Sequence, residues 1–169
     1  MNTSIRNTVI PAWIIVIATT LSCRNQNNEV AKLQATIDSL QLRLNESYRP
    51  GFGELMSGIQ LHHAKLWFAG QNKNWPLANF EIHEMKEGLE DIEKYCSDRE
   101  ETKSMKMIFA PLDSIETAVA QKDQAGFKTS YVLLTNTCNN CHKATAHEFN
   151  NVTIPTSPPI SNQNFQPVQ

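Results

Sequence analysis

The sequence predicts an all-α protein: an antiparallel four-helix bundle, preceded by a short coiled-coil-like helix and followed by an irregular tail. Apolar residues recur at helical intervals in successive segments, and no segment shows the apolar-polar alternation of half-buried strands. The connections between these segments are short, which favours helices that run up and down beside one another. The chain has 169 residues, of which 40% are hydrophobic, so we expect one domain with a substantial core.

Residues 1–22 resemble the export signal of bacterial lipoproteins. Arg6 is the positive flank, the apolar core runs from Val9 to Ile17, and Thr20-Leu21-Ser22-Cys23 resembles the stretch in which the cysteine becomes the lipidated first residue. The core has about ten apolar residues, too few to span a bilayer. The resemblance implies export and a lipid anchor on Cys23, with the protein facing the periplasm from a bacterial membrane. Ordinary cleavage near this point and an uncleaved anchor are the alternatives.

Residues 23–50 are expected to form a polar spacer and a heptad helix that runs from about Glu29 to Glu46. Its apolar positions are Val30, Leu33, Ile37, Leu40 and Leu44. Their steps of three and four residues are typical of a coiled-coil seam. The seam either joins copies of the chain into a homo-oligomer or lies against the body of the protein, and Arg49-Pro50-Gly51 ends the helix in both cases.

The bundle is expected over residues 51–149. Its first helix runs from about Phe52 to Ala69 and carries a broad apolar face. The second begins near Asn74, because asparagine can cap a helix and Pro76 suits a first turn. The second helix then shows a regular apolar stripe that ends near Cys96.

The last two bundle helices have their own boundary signals. Asp98 and Glu101 have the spacing of a capping box at the start of the third helix, which Pro111 should kink. Asp123 can cap the fourth helix. Residues 150–169 are rich in Pro, Asn and Gln, so they cannot continue the helix; they either wrap the bundle as an extended strap or remain disordered.

The charge pattern argues against a nucleic-acid partner. Lysine and arginine number 15 against 17 acidic residues, the formal net charge is -2, and no basic stripe is present. The acidic run from Glu81 to Glu93 on the second helix is most often a solvated face in such proteins. Its alternative role is to attract a basic partner protein.

The fourth helix carries the motif with the most specific chemistry. Its apolar stripe ends in Cys138-Asn139-Asn140-Cys141-His142, the pattern of covalent c-type haem attachment. Two thiols three positions apart lie near one another on a helix and can form thioethers to the haem vinyl groups, while the adjacent imidazole can bind the iron. The competing interpretations are a thioredoxin-type thiol pair, which needs a strand-turn-helix setting, and a zinc site, which needs two further ligands from Cys96 or scattered histidines.

A four-helix bundle with this motif near its end resembles cytochrome c-prime, the class II c-type cytochromes, and its helix order is similar to that of the soluble b-type four-helix cytochrome. The resemblance covers about Phe52 to Phe149. It implies one covalent haem held by Cys138 and Cys141, with His142 as the proximal iron ligand. It also implies that the early part of the first helix faces the other side of the haem.

The sequence leaves open which group lies on the side of the haem opposite His142. Helix geometry puts Met56 about 6 Å and His62 about 15 Å from the start of the first helix, against about 10 Å between His142 and the end of the fourth. Met56 is suggested by the b-type resemblance and would give a His/Met electron carrier. His62 and His63 are less favoured. Adjacent residues diverge by about 100° around a helix, so only one of the two side chains can face the haem squarely.

Two further residues are candidates for the opposite side of the haem. If no side chain binds the iron there, Phe52 or Leu55 would cover the open position, as apolar side chains do in cytochrome c-prime. The sequence therefore predicts a membrane-tethered monohaem c-type cytochrome that exchanges single electrons with a redox partner protein. It favours an electron carrier over an enzyme. A gas-binding or gas-sensing haem protein with an open sixth position is the alternative, and a structural bundle without haem is the third.

Overall fold

The computed structural model describes residues 12–47 and 49–168, with side chains from residue 28 onward except at position 47. These residues are all-helical, without a β-strand among them, which confirms the all-α class. The α-helices are α1 Ala12–Ser47, α2 Phe52–Gln71, α3 Trp75–Tyr95, α4 Glu100–Ser104, α5 Phe109–Ala120 and α6 Gln124–Ala144. No helix in the described part of the chain is long and apolar enough to cross a membrane.

The chain divides into two compact units between Arg49 and Pro50. The first unit contains α1, which begins at Ala12 instead of near Glu29, so that residues 25–28 are helical rather than a spacer. That stretch contains neither proline nor glycine, and asparagine lowers helix propensity only modestly. The apolar seam of α1 is exposed: Val30, Leu33, Ile37, Leu40 and Leu44. Residues 1–11 of the predicted signal segment, the side chains of its remaining residues and the side chain of Cys23 lie outside what the structure describes.

The second unit contains the remaining helices, and their boundaries follow local signals. The side chain of Asn74 accepts a hydrogen bond from the Leu77 N–H and caps α3, with proline in the first turn. The Asp123 carboxylate likewise accepts from the Ala125 N–H and caps α6. The predicted capping box at Asp98 and Glu101 is wrong: α4 begins after Arg99, and Glu101 pairs with the Arg99 guanidinium instead.

The third predicted helix is interrupted before Pro111. A 3₁₀ turn over Met105–Ile108 separates α4 from α5. Proline lacks the N–H that would bond to the carbonyl four residues earlier, and its ring crowds that carbonyl. The interruption therefore occurs in the turn where an α-helix would be most strained.

The core of the second unit lies between its helices. α2 contacts α3 and α6, and α5 contacts the same two helices from the other side. The largest fully buried side chains are Tyr131, Phe127, Leu66, Ile82, Met85, Leu89, Ile92, Met105, Leu112, Ile115, Leu134 and Glu81. Gly70 of α2 lies directly against the ring of Phe127, where a Cβ atom would collide with the aromatic carbons. This glycine allows α2 and α6 to approach closely at that end of the unit.

The tail after α6 is extended and ordered against the helices, as the strap interpretation predicted. Val152 and Phe165 are its buried side chains. The Phe165 ring packs on Phe68 of α2, with centroids 5.6 Å apart. The Asn74 amide donates to the backbone carbonyls of Phe165 and Gln166 at 3.3 and 3.1 Å. The tail thus connects the end of α6 with the turn between α2 and α3.

Candidate functional site

The motif residues occupy the last turns of α6. Cys141 is buried, whereas Cys138 and His142 are half-buried. The spacing of three residues puts both thiols on one side of the helix, toward the other helices of the unit. Both thiols are free, without a disulfide between them. Each is therefore available for covalent attachment to a group that enters beside α6.

Burial keeps both thiols in the neutral form. It raises the pKa of Cys138 to about 12, with the neighbouring Cys141 as a second cause, and it also raises the pKa of Cys141. A reactive redox pair needs a thiolate with a lowered pKa, and zinc ligation needs deprotonated thiols. Within the described residues, no three His, Cys, Asp or Glu side chains come together in a way that could hold a metal ion. The raised thiol pKa values disfavour the thiol-exchange interpretation, which needs a reactive thiolate.

The imidazole of His142 is oriented by the tail. Its Nδ1 lies 2.6 Å from the backbone carbonyl oxygen of Asn150, so Nδ1–H donates and the lone pair remains on Nε2. Histidines that bind metals usually donate their other ring N–H to a carbonyl or carboxylate in this way. His142 is thus set up as an Nε2 ligand.

A cavity of about 290 Å³ lies beside the motif, between α2, α4 and α6. Cys141 and His142 line one side, and Phe52, Met56 and Met105 line the other parts. Two smaller cavities of about 30 and 20 Å³ adjoin the motif, and each contains Met56, Cys138 and His142 in its lining. Met56 and His142 therefore share all three spaces, which brings together residues that are 86 positions apart in the chain.

A basic side chain lies at the edge of the 290 Å³ cavity. Arg99 lines it together with Glu101, and its guanidinium carbon is 5.1 Å from the centroid of the Phe52 ring. The Arg99 Nη2 is 2.6 Å from a carboxylate oxygen of Glu101. This hydrogen bond lowers the pKa of the Glu101 carboxyl group. The cavity therefore has a mixed lining, with apolar side chains in one part and polar ones, among them Gln60 and the Arg99–Glu101 ion pair, in the rest.

His63 is buried, and both of its ring nitrogens are engaged. Nε2 is 2.9 Å from the Thr135 hydroxyl, and Nδ1 is 3.0 Å from the Tyr131 hydroxyl, whose ring stacks on the imidazole. Burial lowers the pKa of His63 to about 4. The ring lines the 30 Å³ cavity, but both of its nitrogens are hydrogen-bonded to side-chain hydroxyls of α6 and are not free to bind a metal.

His62 points toward α3. Its Nδ1 is 2.7 Å from the Glu81 carboxylate, which is fully buried and also lies 2.6 Å from the Lys65 ammonium group. Leu55 packs against the core and is not part of the lining of the three cavities. Of the residues that the sequence suggested for the side opposite His142, Phe52 and Met56 are the ones that share the 290 Å³ cavity with it.

The structure adds residues that the sequence did not indicate. Met105 lines two of the cavities with a second thioether, and its apolar side chain within the predicted third helix was the available signal. Arg99 was expected in the first turn of that helix, where nothing marked it as a cavity residue. Asn150 contributes a backbone carbonyl, which no side-chain pattern can reveal.

No known protein family, curated protein or solved structure matches the chain. The cytochrome c-prime resemblance therefore stays a prediction that depends on the motif and its surroundings. The donor set itself fits a covalently attached haem: two free thiols, an imidazole with a free Nε2, apolar side chains in part of the cavity lining and a thioether across the cavity.

Proposed function

We propose that this protein is a monohaem c-type cytochrome that transfers single electrons. The observation that carries the proposal is the state of the motif: Cys138 and Cys141 are free on one helix, and the next residue, His142, presents Nε2 while Nδ1 is held by a carbonyl. When bound, haem supplies an iron that changes its charge by one electron. In attachment, each S–H adds across a vinyl group, so no oxidant or reductant is needed.

The proposed architecture is the antiparallel four-helix bundle of the class II c-type cytochromes. Helices α2, α3 and α6 provide three members, and α4 with α5 provides the interrupted fourth. The contacts of α2 and α5 with both α3 and α6 support a square arrangement, and the short connections support alternating directions.

The other cavity residues have roles that follow from their chemistry. Met56 is the proposed second axial ligand, and a thioether on the iron favours the reduced state. The Phe52 ring and the buried Met105 side chain exclude water from the cavity. Arg99 lies at the rim, where its guanidinium pairs with the Glu101 carboxylate and packs on the Phe52 ring.

The proposed cellular setting comes from the sequence before the second unit. We propose export and lipid attachment at Cys23, so that the protein faces the periplasm from a bacterial membrane. The exposed seam of α1 supports self-association with a second copy of the chain, because apolar side chains at heptad spacing are buried when two such helices meet.

Haem staining after denaturing electrophoresis tests the function directly. The full chain is produced in a bacterial host that attaches c-type haem, beside the Cys138→Ala, Cys141→Ala double variant. Cys96→Ala is the matched control, since Cys96 is also a buried free thiol but lies outside the motif. We expect stain in the parent and in Cys96→Ala, and none in the double variant. A parent that carries no covalent haem would overturn the proposed function.

A further inference from the structure

We infer that the C-terminal tail is a strap that positions the His142 imidazole, and that Asn139 is the residue that fastens it. The inference rests on the proposed function in one respect, the role of His142 as an iron ligand. It assigns a function to one of the two residues between the motif cysteines. It also assigns a function to a tail that could have been disordered.

Asn139 holds the tail by two hydrogen bonds. Its amide nitrogen Nδ2 donates to the Val152 carbonyl at 2.8 Å, and its Oδ1 accepts from the Val152 N–H at 2.8 Å. The side-chain amide thus pairs with one tail residue as a neighbouring strand would. A paired amide of this kind fixes both the position and the direction of the backbone at Val152.

The same short stretch of tail contacts His142. Asn139 and His142 are three positions apart on α6 and therefore lie on one side of the helix. Asn150, two residues before Val152, presents its carbonyl to His142 Nδ1 at 2.6 Å, and its own N–H donates to the His147 carbonyl at 2.9 Å. The carbonyl that orients the imidazole is consequently held from both sides: by the turn after α6 and by the Asn139 pair.

The strap also closes the space beneath the motif. The buried Val152 side chain lines the cavity of about 30 Å³ that contains Met56, Cys138 and His142. At its far end, the tail is fixed by Phe165 on α2 and by the Asn74 amide. These attachments restrict the movement of the strap. The two hydrogen bonds between Asn139 and Val152 therefore determine where the Asn150 carbonyl lies.

A carbonyl on Nδ1–H has two effects on a metal-bound imidazole. It fixes the ring orientation, and it increases the basicity of the nitrogen that binds the metal. A more basic ligand stabilises the oxidised iron and lowers the reduction potential. Asn139 is thus a positioning residue for the electron-transfer site, because it acts through the tail on His142.

Hydrogen exchange of the Val152 amide in the purified full chain tests the fastening. Asn139→Ala removes both bonds to the tail, and Asn140→Ala is the matched control, because Asn140 is the adjacent, exposed asparagine of the same motif. We expect the amide to exchange roughly tenfold faster in Asn139→Ala, as loss of one such hydrogen bond allows, and unchanged in Asn140→Ala. Equal exchange in the two variants would refute the fastening.

The reduction potential of the haem-loaded protein tests the positioning. It should rise in Asn139→Ala and stay at the parent value in Asn140→Ala. Faster exchange at Val152 without a rise would show a tail contact that does not act on His142, and would overturn the inference. If Asn139→Ala does not fold, Asn139→Asp keeps the acceptor for the Val152 N–H, loses the donor and should show an intermediate exchange rate. A full chain without haem would refute the proposed function alone, since the exchange result still decides whether Asn139 fastens the tail.

Discussion

Acid should destabilise this protein through one buried histidine. His63 is 3% exposed, and burial lowers its pKa from 6.5 to about 4. In the unfolded chain the ring has its ordinary pKa, so between pH 6.5 and 4 the unfolded state binds a proton that the folded state does not. The sign follows: stability is full above pH 6.5, falls as pH drops toward 4, and is affected no further below 4. Each pKa unit is worth about 1.4 kcal/mol, so the total loss is about 3 kcal/mol.

The groups around the ring do not offset this loss. The two polar partners are the uncharged hydroxyls of Tyr131 and Thr135, each of which also donates to a backbone carbonyl, so neither supplies a negative charge to the ring. Burial raises the pKa values of Tyr131 and of Cys138, whose side chain lines the same cavity, so both remain uncharged in acid. The ring therefore faces no carboxylate from α6 that would stabilise its charged form.

Urea unfolding at a series of pH values from 7 to 4 measures the effect. His63→Gln keeps a polar side chain near both hydroxyls and cannot titrate, so it should reduce the loss of stability on acidification by about 3 kcal/mol, whatever its stability at pH 7. His83→Gln is the matched control, because the His83 side chain is 66% exposed. The hydrogen bond from Arg99 lowers the pKa of Glu101, and the effect of this group is common to all variants. An unchanged acid loss in His63→Gln would refute the reasoning.

Three other outcomes are expected. In the haem-loaded protein, Met56→Ala should open the sixth position and admit carbon monoxide within the mixing time, whereas Met105→Ala should keep the parent's low-spin spectrum. The reverse result would make Met105 the ligand. Rapid binding of carbon monoxide by the parent would favour the gas-binding function. In urea titrations, Gly70→Ala should destabilise the fold by about 1–3 kcal/mol, because the added methyl group collides with the Phe127 ring. Gly58→Ala is the control: it lies in open space on the same helix and should stabilise the fold by about 0.5–1 kcal/mol. Palmitate labelling should occur in the parent and disappear in Cys23→Ala; label that persists would exclude that anchor.

The sequence predicted the helices well where short-range signals decide their ends. The caps at Asn74 and Asp123 and the break before Pro111 were all visible in local patterns. Asp98 was a misleading signal. The Glu101 carboxylate, which a capping box needs, can also bind other groups of the same turn, and it pairs with the Arg99 guanidinium. Boundaries that depend on such competition need the folded structure.

Glu81 shows a different limit of the sequence. It begins the acidic run that was expected to be a solvated face, yet it is fully buried. Its position was informative, because it lies one helical turn from both Ala78 and Met85, on the apolar side of α3. Because glutamate is charged, the residue was nevertheless expected to be exposed. Only the structure brings Lys65 and His62 from α2 to the carboxylate, and such partners are what makes a buried charge tolerable.

The two adjacent histidines of α2 together narrow the choice of axial ligand. Their side chains diverge, as neighbours on a helix do, and each connects α2 to a different helix: His62 to Glu81 of α3, and His63 to Tyr131 of α6. To bind iron, either ring would have to abandon a buried partner, and leaving that partner unsatisfied costs about 1–3 kcal/mol or more. The thioethers of Met56 and Met105 have no such partner to lose. If the proposed haem is bound, the choice at its sixth position is therefore between a methionine, which supports electron transfer, and no protein ligand, which supports gas binding.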